Sequence, residues 1–259
     1  MGTGAITEYI DVAQVALYIF WLFFAALIIY LLRENKREGY PLVAEDRRNS
    51  RVVVQGYPEI PAPKVFLNRD NTTYQAPPGN IDNRPIAAVP AAKFPGAPLV
   101  PTGNPMIDGI GTASYALRQD VPDLTAEDQP RIVPIRVADD HHVDPRDPNP
   151  IGMPVYGADK KLAGTVTDLW IDRSEPGVRY LEVALEGGGG RTVLLPIGFA
   201  VVSREKGSVR TGAILAHQFD TVPALRNPDL ITKLEEDKIT GYFAGGYLYA
   251  TPHRSEPLI

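Results

Sequence analysis

Residues 12–32 read VAQVALYIFWLFFAALIIYLL, a run of 21 residues without a charged side chain, and this stretch decides the architecture of the chain. A helix of this length spans roughly 31 Å, close to the ~30 Å hydrocarbon core of a bilayer. The alternative is a cleaved signal peptide, but Glu8 and Asp11 precede the run, where a signal peptide carries Lys or Arg. The sequence therefore predicts one transmembrane helix over residues 12–32.

The charges that flank this run predict its orientation. No Lys or Arg precedes it, and six basic residues follow it: Arg33, Lys36, Arg37, Arg47, Arg48 and Arg51. By the positive-inside rule, we expect residues 1–11 to lie outside and the larger C-terminal part to lie in the cytoplasm. The run contains no ionisable acid, base or histidine, so we expect it to anchor and pack rather than to conduct ions or ligate a pigment.

Residues 33–105 are predicted to form an extended segment, because eleven of the 25 prolines of the chain fall between positions 58 and 105. This segment is either a disordered linker or an ordered chain that lies on a partner surface. Apolar residues such as Phe66, Tyr74 and Phe94 favour the ordered alternative. We expect short strands at 52–54, 65–67 and 86–89.

Residues 106–259 are predicted to form a mainly β domain. Apolar and polar residues alternate over 162–172, a turn follows at 173–177, and further strands are indicated at 178–185, 192–196, 200–202 and 208–210. Short strands at such intervals are typical of a small barrel or sandwich. A short helix is predicted near the C-terminus, capped by Asn227 and ended by Gly241, with an extended segment over 242–249.

The chemistry-bearing residues do not form a compact catalytic set. The net charge is −5, which disfavours nucleic acid as a partner, and no phosphate loop, nucleophile elbow, dinucleotide fingerprint or cysteine pair is present. Residues 139–144 read DDHHVD and contain aspartate and histidine, residue types that commonly bind metal ions. Adjacent histidines rarely point into one site, so a surface loop is favoured. The sequence thus predicts no enzyme, no metal site and no cofactor site.

Two groups of carboxylates remain. Asp120, Asp123, Glu127 and Asp128 follow Arg118, and a second group surrounds the turn at 173–177: Asp172, Glu175 and Arg179. Such groups usually solvate a surface. Closely spaced acids also share protons and raise one another's pKa, so a proton-collecting function is the alternative.

Several segments resemble a known family over essentially the full length. They are FW at 20–21, ENKREGYPL at 34–42, PTGNPM at 101–106, NPIG at 149–152 and EEDKITGY at 235–242. Together they resemble the H subunit of the photosynthetic reaction centre of purple bacteria. DLWID at 168–172 and LLP at 194–196 look like the PRC-barrel pattern of that family.

The resemblance implies one membrane helix, an extended surface segment and a cytoplasmic barrel in the bacterial inner (intracytoplasmic) membrane. The L and M subunits would be the partners, with a surrounding antenna, a cytochrome subunit and membrane lipids as further candidates. L and M of this family hold bacteriochlorophyll, bacteriopheophytin, quinones and non-haem iron, whereas the H subunit binds none of them. Its implied function is to stabilise that core and to support proton delivery to the secondary quinone.

The resemblance also implies site residues. Glu175 matches the proton-path glutamate of the family, Arg179 its partner arginine and Asp172 its nearby aspartate. Arg131 stands where the family can have a basic residue near the point at which protons enter.

The stretch TAEDQ at 125–129 departs from the best-studied members of the family, which carry two histidines and an aspartate at the proton entry that bind inhibitory zinc or cadmium. Asp123, Glu127 and Asp128 remain to gather protons, at a lower pKa than histidine. The alternative function is a membrane-tethered PRC-barrel adaptor or assembly protein outside photosynthesis, for which the long proline-rich segment would be unnecessary.

Overall fold

A computed structural model describes residues 6–7, 10–40, 56–79, 82–94, 97–138, 141–187 and 189–255. The chain divides into two compact units. The first comprises Met1–Asn83 and Lys93–Ala97, and the second comprises Arg84–Ala92 and Pro98–Ile259.

The apolar run forms helix α1, Val12–Arg37. Asp11 caps it: its side chain accepts a hydrogen bond from the backbone N–H of Gln14 at 2.7 Å, and the Gln14 side chain accepts one from the N–H of Asp11. The helix extends beyond residue 32 to Arg37, since the charged residues that follow are good helix formers. No residue of α1 is buried, and it is long and apolar enough to cross a membrane.

The chain that follows α1 is tied to the end of that helix. The Lys36 ammonium donates to the carbonyls of Gly56 and Pro58 at 2.8 and 2.6 Å, and Lys64 pairs with Glu34 at 2.7 Å. Strands β1, Lys64–Leu67, and β2, Thr73–Ala76, then form an antiparallel hairpin. The strand predicted at 65–67 is confirmed, whereas the one predicted at 52–54 lies outside the described residues.

The second unit begins with a small hairpin and a short helix. Strands β3, Ala88–Pro90, and β4, Leu99–Pro101, pair antiparallel, and helix α2, Pro105–Asp108, follows. The strand predicted at 86–89 overlaps β3 but begins two residues later, at Ala88. In β3 the central residue, Val89, pairs with Val100.

A seven-stranded sheet forms the body of this unit. Its order is β10-β11-β6-β7-β8-β9, and β5 pairs with β7. The strands are β5 Ile132–Pro134, β6 Pro154–Tyr156, β7 Leu162–Asp172, β8 Gly177–Leu185, β9 Thr192–Pro196, β10 Ala200–Ser203 and β11 Ser208–Thr211. All neighbours are antiparallel except β6 and β11. The mainly β domain is confirmed, although among the described residues no ladder joins β9 to β10 to close the sheet.

The core packs against both faces of this sheet, since the adjacent residues Leu169 and Trp170, which lie on opposite faces of β7, are both fully buried. Its largest fully buried side chains are Trp170, Phe219, Phe243, Leu169, Leu181, Leu194 and Leu195. Each such side chain stabilises the fold by about 1.5–3 kcal/mol relative to exposure. Strands β7, β8 and β9 supply most of them, which is why their alternation was readable in the sequence.

The C-terminal helix is present, but its predicted bounds are wrong. Helix α3 runs Lys233–Tyr249, so residues 242–249 are helical rather than extended. It begins at Thr232 because Thr232 and Glu235 form a capping box, with 3.1 and 2.9 Å hydrogen bonds, whereas the Asn227 side chain caps only a local turn.

Glycine does not end this helix. Gly241 and Gly245 lie inside α3, against the backbone and side chain of Ala113. A Cβ on Gly245 would lie 2.5 Å from the Ala113 Cβ, so glycine is required there for close packing. Glycine predicts a helix end because it lacks a side chain. In α3 the same lack of a side chain allows the helix to pack closely against Ala113.

Candidate functional site

Asp172 is the centre of the predicted site, and its side chain is completely buried. Two arginines contact it. The Arg131 Nε donates to both carboxylate oxygens at 3.0 Å, and the Arg179 Nε donates at 3.2 Å. The backbone N–H groups of Ser174 and Glu175 complete its hydrogen bonds at 2.9 and 3.1 Å. The buried carboxylate of Asp172 therefore has hydrogen-bond donors for both of its oxygens.

The sheet explains why these residues meet. Strand β5 pairs with β7 so that Ile132 lies opposite Asp172, which places Arg131 beside the aspartate. The β7–β8 hairpin brings Arg179 back to the same end of the sheet. Asp172 itself caps the turn over 173–176, because its carboxylate accepts from the N–H groups two and three residues later.

The charge state of Asp172 follows from these contacts. Burial raises the pKa of Asp172, but the hydrogen bonds from Arg131 and from the N–H groups of Glu175 and Ser174 outweigh it, so the pKa lies below its ordinary value. The same pairing raises the pKa of Arg131. Asp172 thus stays ionised near neutral pH and holds two cations in place, rather than passing protons itself.

Glu175 stands at the exposed face of this cluster. Its side chain is 76% exposed, and its Oε1 lies 3.7 Å from the Arg131 Nη2. The backbone of Glu175 is nevertheless fixed by Asp172. A carboxylate on a fixed turn, open to water and next to a guanidinium, can exchange protons with solvent or with a partner.

The remaining predicted residues separate into two places. Asp123 joins the cluster, with its carboxylate 3.4 Å from both Arg131 and Lys233. Glu127 and Asp128 lie at the exposed tip of the loop over 124–130, and among the described residues neither side chain forms an ion pair with the cluster.

An open groove of about 700 Å³ lies between this tip and the turn before Glu175. Its lining includes Glu127 and Gln129 on one side and Arg173 and Ser174 on the other. His141 lines the same groove, a position that the sequence did not indicate because the residue is far from this loop along the chain. The groove therefore contains an imidazole, although residues 125–129 do not.

The metal interpretation of residues 139–144 gains no support. Asp139 and Asp140 lie outside the described residues, and within the described ranges no group of three or more His, Cys, Asp or Glu side chains is arranged to hold a metal ion.

A further carboxyl, Glu236, was missed as a site residue. The Tyr180 hydroxyl donates to it at 3.0 Å from β8. Burial raises the pKa of Glu236, and the hydrogen bond from Tyr180 and the charge of Arg118 do not offset this, while the charge of Asp123 raises it further. Glu236 belongs to a segment that carried the family resemblance, but nothing in the sequence indicated its burial.

Two family models match the chain. The model of the photosynthetic reaction centre H-chain N-terminal region matches residues 4–137, and that of the PRC-barrel domain matches residues 145–215. The first alone covers more than half of the 259 residues. The chain belongs to the photosynthetic reaction centre H-chain family. In this H chain the PRC-barrel match contains strands β6 to β11.

The site of the H chain lies where the two matched regions meet. Asp123 and Arg131 belong to the N-terminal match, whereas Asp172, Glu175 and Arg179 belong to the PRC-barrel match. The ion pair between Arg131 and Asp172, at 2.9 Å, joins the two. The resemblance inferred from the sequence is confirmed at the level of the family, and the H chain is a subunit of a photosynthetic complex.

Proposed function

We propose that this H chain stabilises the L and M core of the reaction centre and supports proton delivery to the secondary quinone. The observation that carries the proposal is Glu175, an exposed carboxylate on a turn whose geometry is fixed by the buried Asp172 and by Arg131. Proton relays require such a group, because a carboxylate must be both accessible and correctly positioned to exchange protons.

Each residue of the cluster has a distinct role in this proposal. Asp172 remains ionised and positions Arg131 and Arg179, and the Arg131 guanidinium lies 3.7 Å from the Glu175 carboxylate. Glu175 then takes up a proton from the solvent side and passes it toward the quinone. Among the described residues its carboxylate contacts one guanidinium, that of Arg131 at 3.7 Å, and it is otherwise open to water.

Protons would reach Glu175 through the 700 Å³ groove. Glu127 and Asp128 at the loop tip, with Asp123 at the base of the loop, gather protons from water, and the His141 imidazole lines the same groove. This groove ends at Ser174, next to Glu175 in the chain.

The rest of the chain would hold the core from two sides. In the proposed arrangement residues 1–11 are periplasmic, residues 12–32 pack against L and M in the bilayer, residues 33–105 lie on their surface, and residues 106–259 cap them from the cytoplasm. The exposed apolar side chains of α1 and of the segment after it fit this arrangement, among them Phe23, Tyr57, Val65, Phe66 and Leu67. The chain itself would bind no bacteriochlorophyll, bacteriopheophytin, quinone or iron, and it would catalyse no reaction alone.

Isolation from its native membrane tests the assignment to the core. We expect the H chain to co-purify with pigmented L and M subunits, because so many apolar side chains would otherwise be exposed. The measurement is the absorption spectrum of the purified complex before and after removal of L and M. A native protein recovered only as a colourless monomer would instead favour the tethered PRC-barrel adaptor.

The proton relay makes a separate prediction. In the assembled complex, Glu175→Gln should slow the proton-coupled transfer of the second electron to the secondary quinone by about 10- to 100-fold, since an amide cannot carry a proton. Flash-induced absorption changes measure this rate. Glu205→Gln, an exposed glutamate on the turn between β10 and β11, is the matched control and should leave the rate unchanged. Equal rates in the two variants would refute the role of Glu175.

A further inference from the structure

We propose that the H chain binds a phosphate-bearing anion in a second groove, which we call the basic groove, of about 320 Å³. Its lining includes Gly157, Lys160, Val201, Arg210, Gly212 and Arg254, all within the second unit of the chain. Three of these residues are cationic, and none of the described residues that line it is acidic. The inference does not depend on the proton relay, which uses other residues.

Arg210 carries a charge that the sheet leaves unneutralised. It lies on β11 between β10 and β6, where its registered partners are Val201 and Tyr156. Charged residues in sheets are commonly paired across strands with opposite charges, and neither of these neighbours provides one. The exposed Arg210 side chain makes no ion pair or hydrogen bond to the described part of the chain.

Arg254 is held in position by the backbone. Its Nη1 donates to the carbonyls of Ala213 and Gly246 at 2.6 and 2.7 Å, which fixes the plane of the guanidinium. These two bonds leave the other N–H groups of the Arg254 guanidinium available to a ligand. The planar arrangement of guanidinium N–H groups matches the geometry of phosphate oxygens. One cation of the groove is thus preorganised.

Lys160 adds a third charge from a tight turn. Its φ is +63°, and its N–H bonds to the Gly157 carbonyl at 2.9 Å, so the turn that presents the side chain is ordered. The neighbouring acid, Asp159, does not line the groove, and its Oδ1 accepts from the backbone N–H groups of Ala216 and Lys161 at 3.2 and 3.3 Å. Its single negative charge offsets only one of the three cations. The groove therefore keeps a net positive charge.

The chemistry of the groove favours phosphate. Two guanidinium groups and an ammonium suit the several oxygen acceptors of a phosphate, and Gly212, which has no side chain, leaves space beside the backbone of the groove. A volume of about 320 Å³ lies at the lower end of small-molecule sites, so it has room for the phosphate and for the group that carries it. A free phosphate ester and a lipid headgroup share this chemistry.

Calorimetric titration of the full-length H chain in detergent tests the proposal. The probes are glycerol 3-phosphate, a free monoester, and water-soluble dibutyryl phosphatidylglycerol, a lipid-type diester. We expect at least one to bind, and Arg210→Gln to weaken that binding by about tenfold or more, because a charge-assisted hydrogen bond is lost. Binding of the monoester alone would identify a free phosphate ester, and binding of the diester would identify a lipid headgroup.

Lys206→Gln is the matched control, since this exposed cation lies on the β10–β11 turn but does not line the basic groove. It should leave the affinity unchanged. The proposal is overturned if neither probe binds the wild-type chain, or if Lys206→Gln weakens binding as much as Arg210→Gln, which would show general charge attraction. Thermal unfolding of both variants should match wild type, because neither side chain forms an ion pair or hydrogen bond with the described part of the chain. The flash kinetics of Arg210→Gln should also match wild type, which separates this site from the relay.

Discussion

Asp172→Ala is expected to lower the free energy of unfolding by about 3–5 kcal/mol, the range found when one partner of a buried ion pair is removed. The aspartate is completely buried and binds Arg131, Arg179 and two backbone N–H groups. Without it, two cations face each other at the end of β7, and the turn that carries Glu175 loses its cap. Urea unfolding of the full-length chain in detergent, followed by circular dichroism, measures the change.

Asp144→Ala provides the matched control for this prediction. Asp144 also binds an arginine, Arg146, at 2.8 Å, but the Arg146 side chain is 89% exposed and that of Asp144 is 41% exposed. Exposed pairs contribute only about 0–1 kcal/mol, so this variant should unfold close to wild type. A similar loss of stability in Asp144→Ala and Asp172→Ala would mean that burial of Asp172 adds nothing.

The pH dependence of stability follows from the lowered pKa of Asp172. Because the pKa in the folded state lies below its ordinary value of 3.8, this carboxylate stabilises the fold above that pH. The contribution is lost as the pH falls through the lower, folded-state value. The difference in stability between wild type and Asp172→Ala should therefore be largest near neutral pH and shrink once the pH falls below about 3.8.

The long strands and the apolar helix could be predicted from local pattern alone. Strand β7 matches its predicted range, 162–172, although only its first half has exposed or half-buried positions and residues 168–172 are all buried. Strands β5 and β6 were missed, since each has only three residues and contains proline. Their pairing depends on long-range register, as between Ile132 and Asp172, and a local pattern carries no information about that register.

The candidate site likewise contains residues that the local sequence indicated and residues that only the fold brings together. Asp172, Glu175 and Arg179 were recognised as one group because a single hairpin turn joins them. Arg131 was assigned only through the resemblance, and Asp123 was placed in a separate group of carboxylates, so their meeting at 3.4 Å is a property of the fold. Glu236 and His141 could not be assigned, because burial beside Tyr180 and a position on the 700 Å³ groove are properties of the folded chain.

Arg136→Ala is the second variant for which we expect a large effect, again about 3–5 kcal/mol lower free energy of unfolding. Its guanidinium binds Asp168 and Glu182 at 2.8 Å and Asp229 at 3.0 Å, and so joins β7, β8 and the loop before α3. Glu182 also accepts from the buried Trp170 indole at 2.9 Å. Removing the cation leaves three carboxylates close together, two of them largely shielded from water. Urea unfolding followed by tryptophan fluorescence measures the loss.

Two variants separate the geometry of Arg136 from its charge. Arg136→Lys keeps the charge but loses the planar fork that reaches three carboxylates, so its cost should be intermediate, about 1–3 kcal/mol. Arg118→Ala removes an arginine whose single pair, with Asp237 at 3.4 Å, is half-exposed, and it should cost about 1 kcal/mol or less. If Arg136→Ala proved no more destabilising than Arg118→Ala, the three-carboxylate contact would be a surface feature, and the sheet and the loop before α3 would be held together by apolar packing alone.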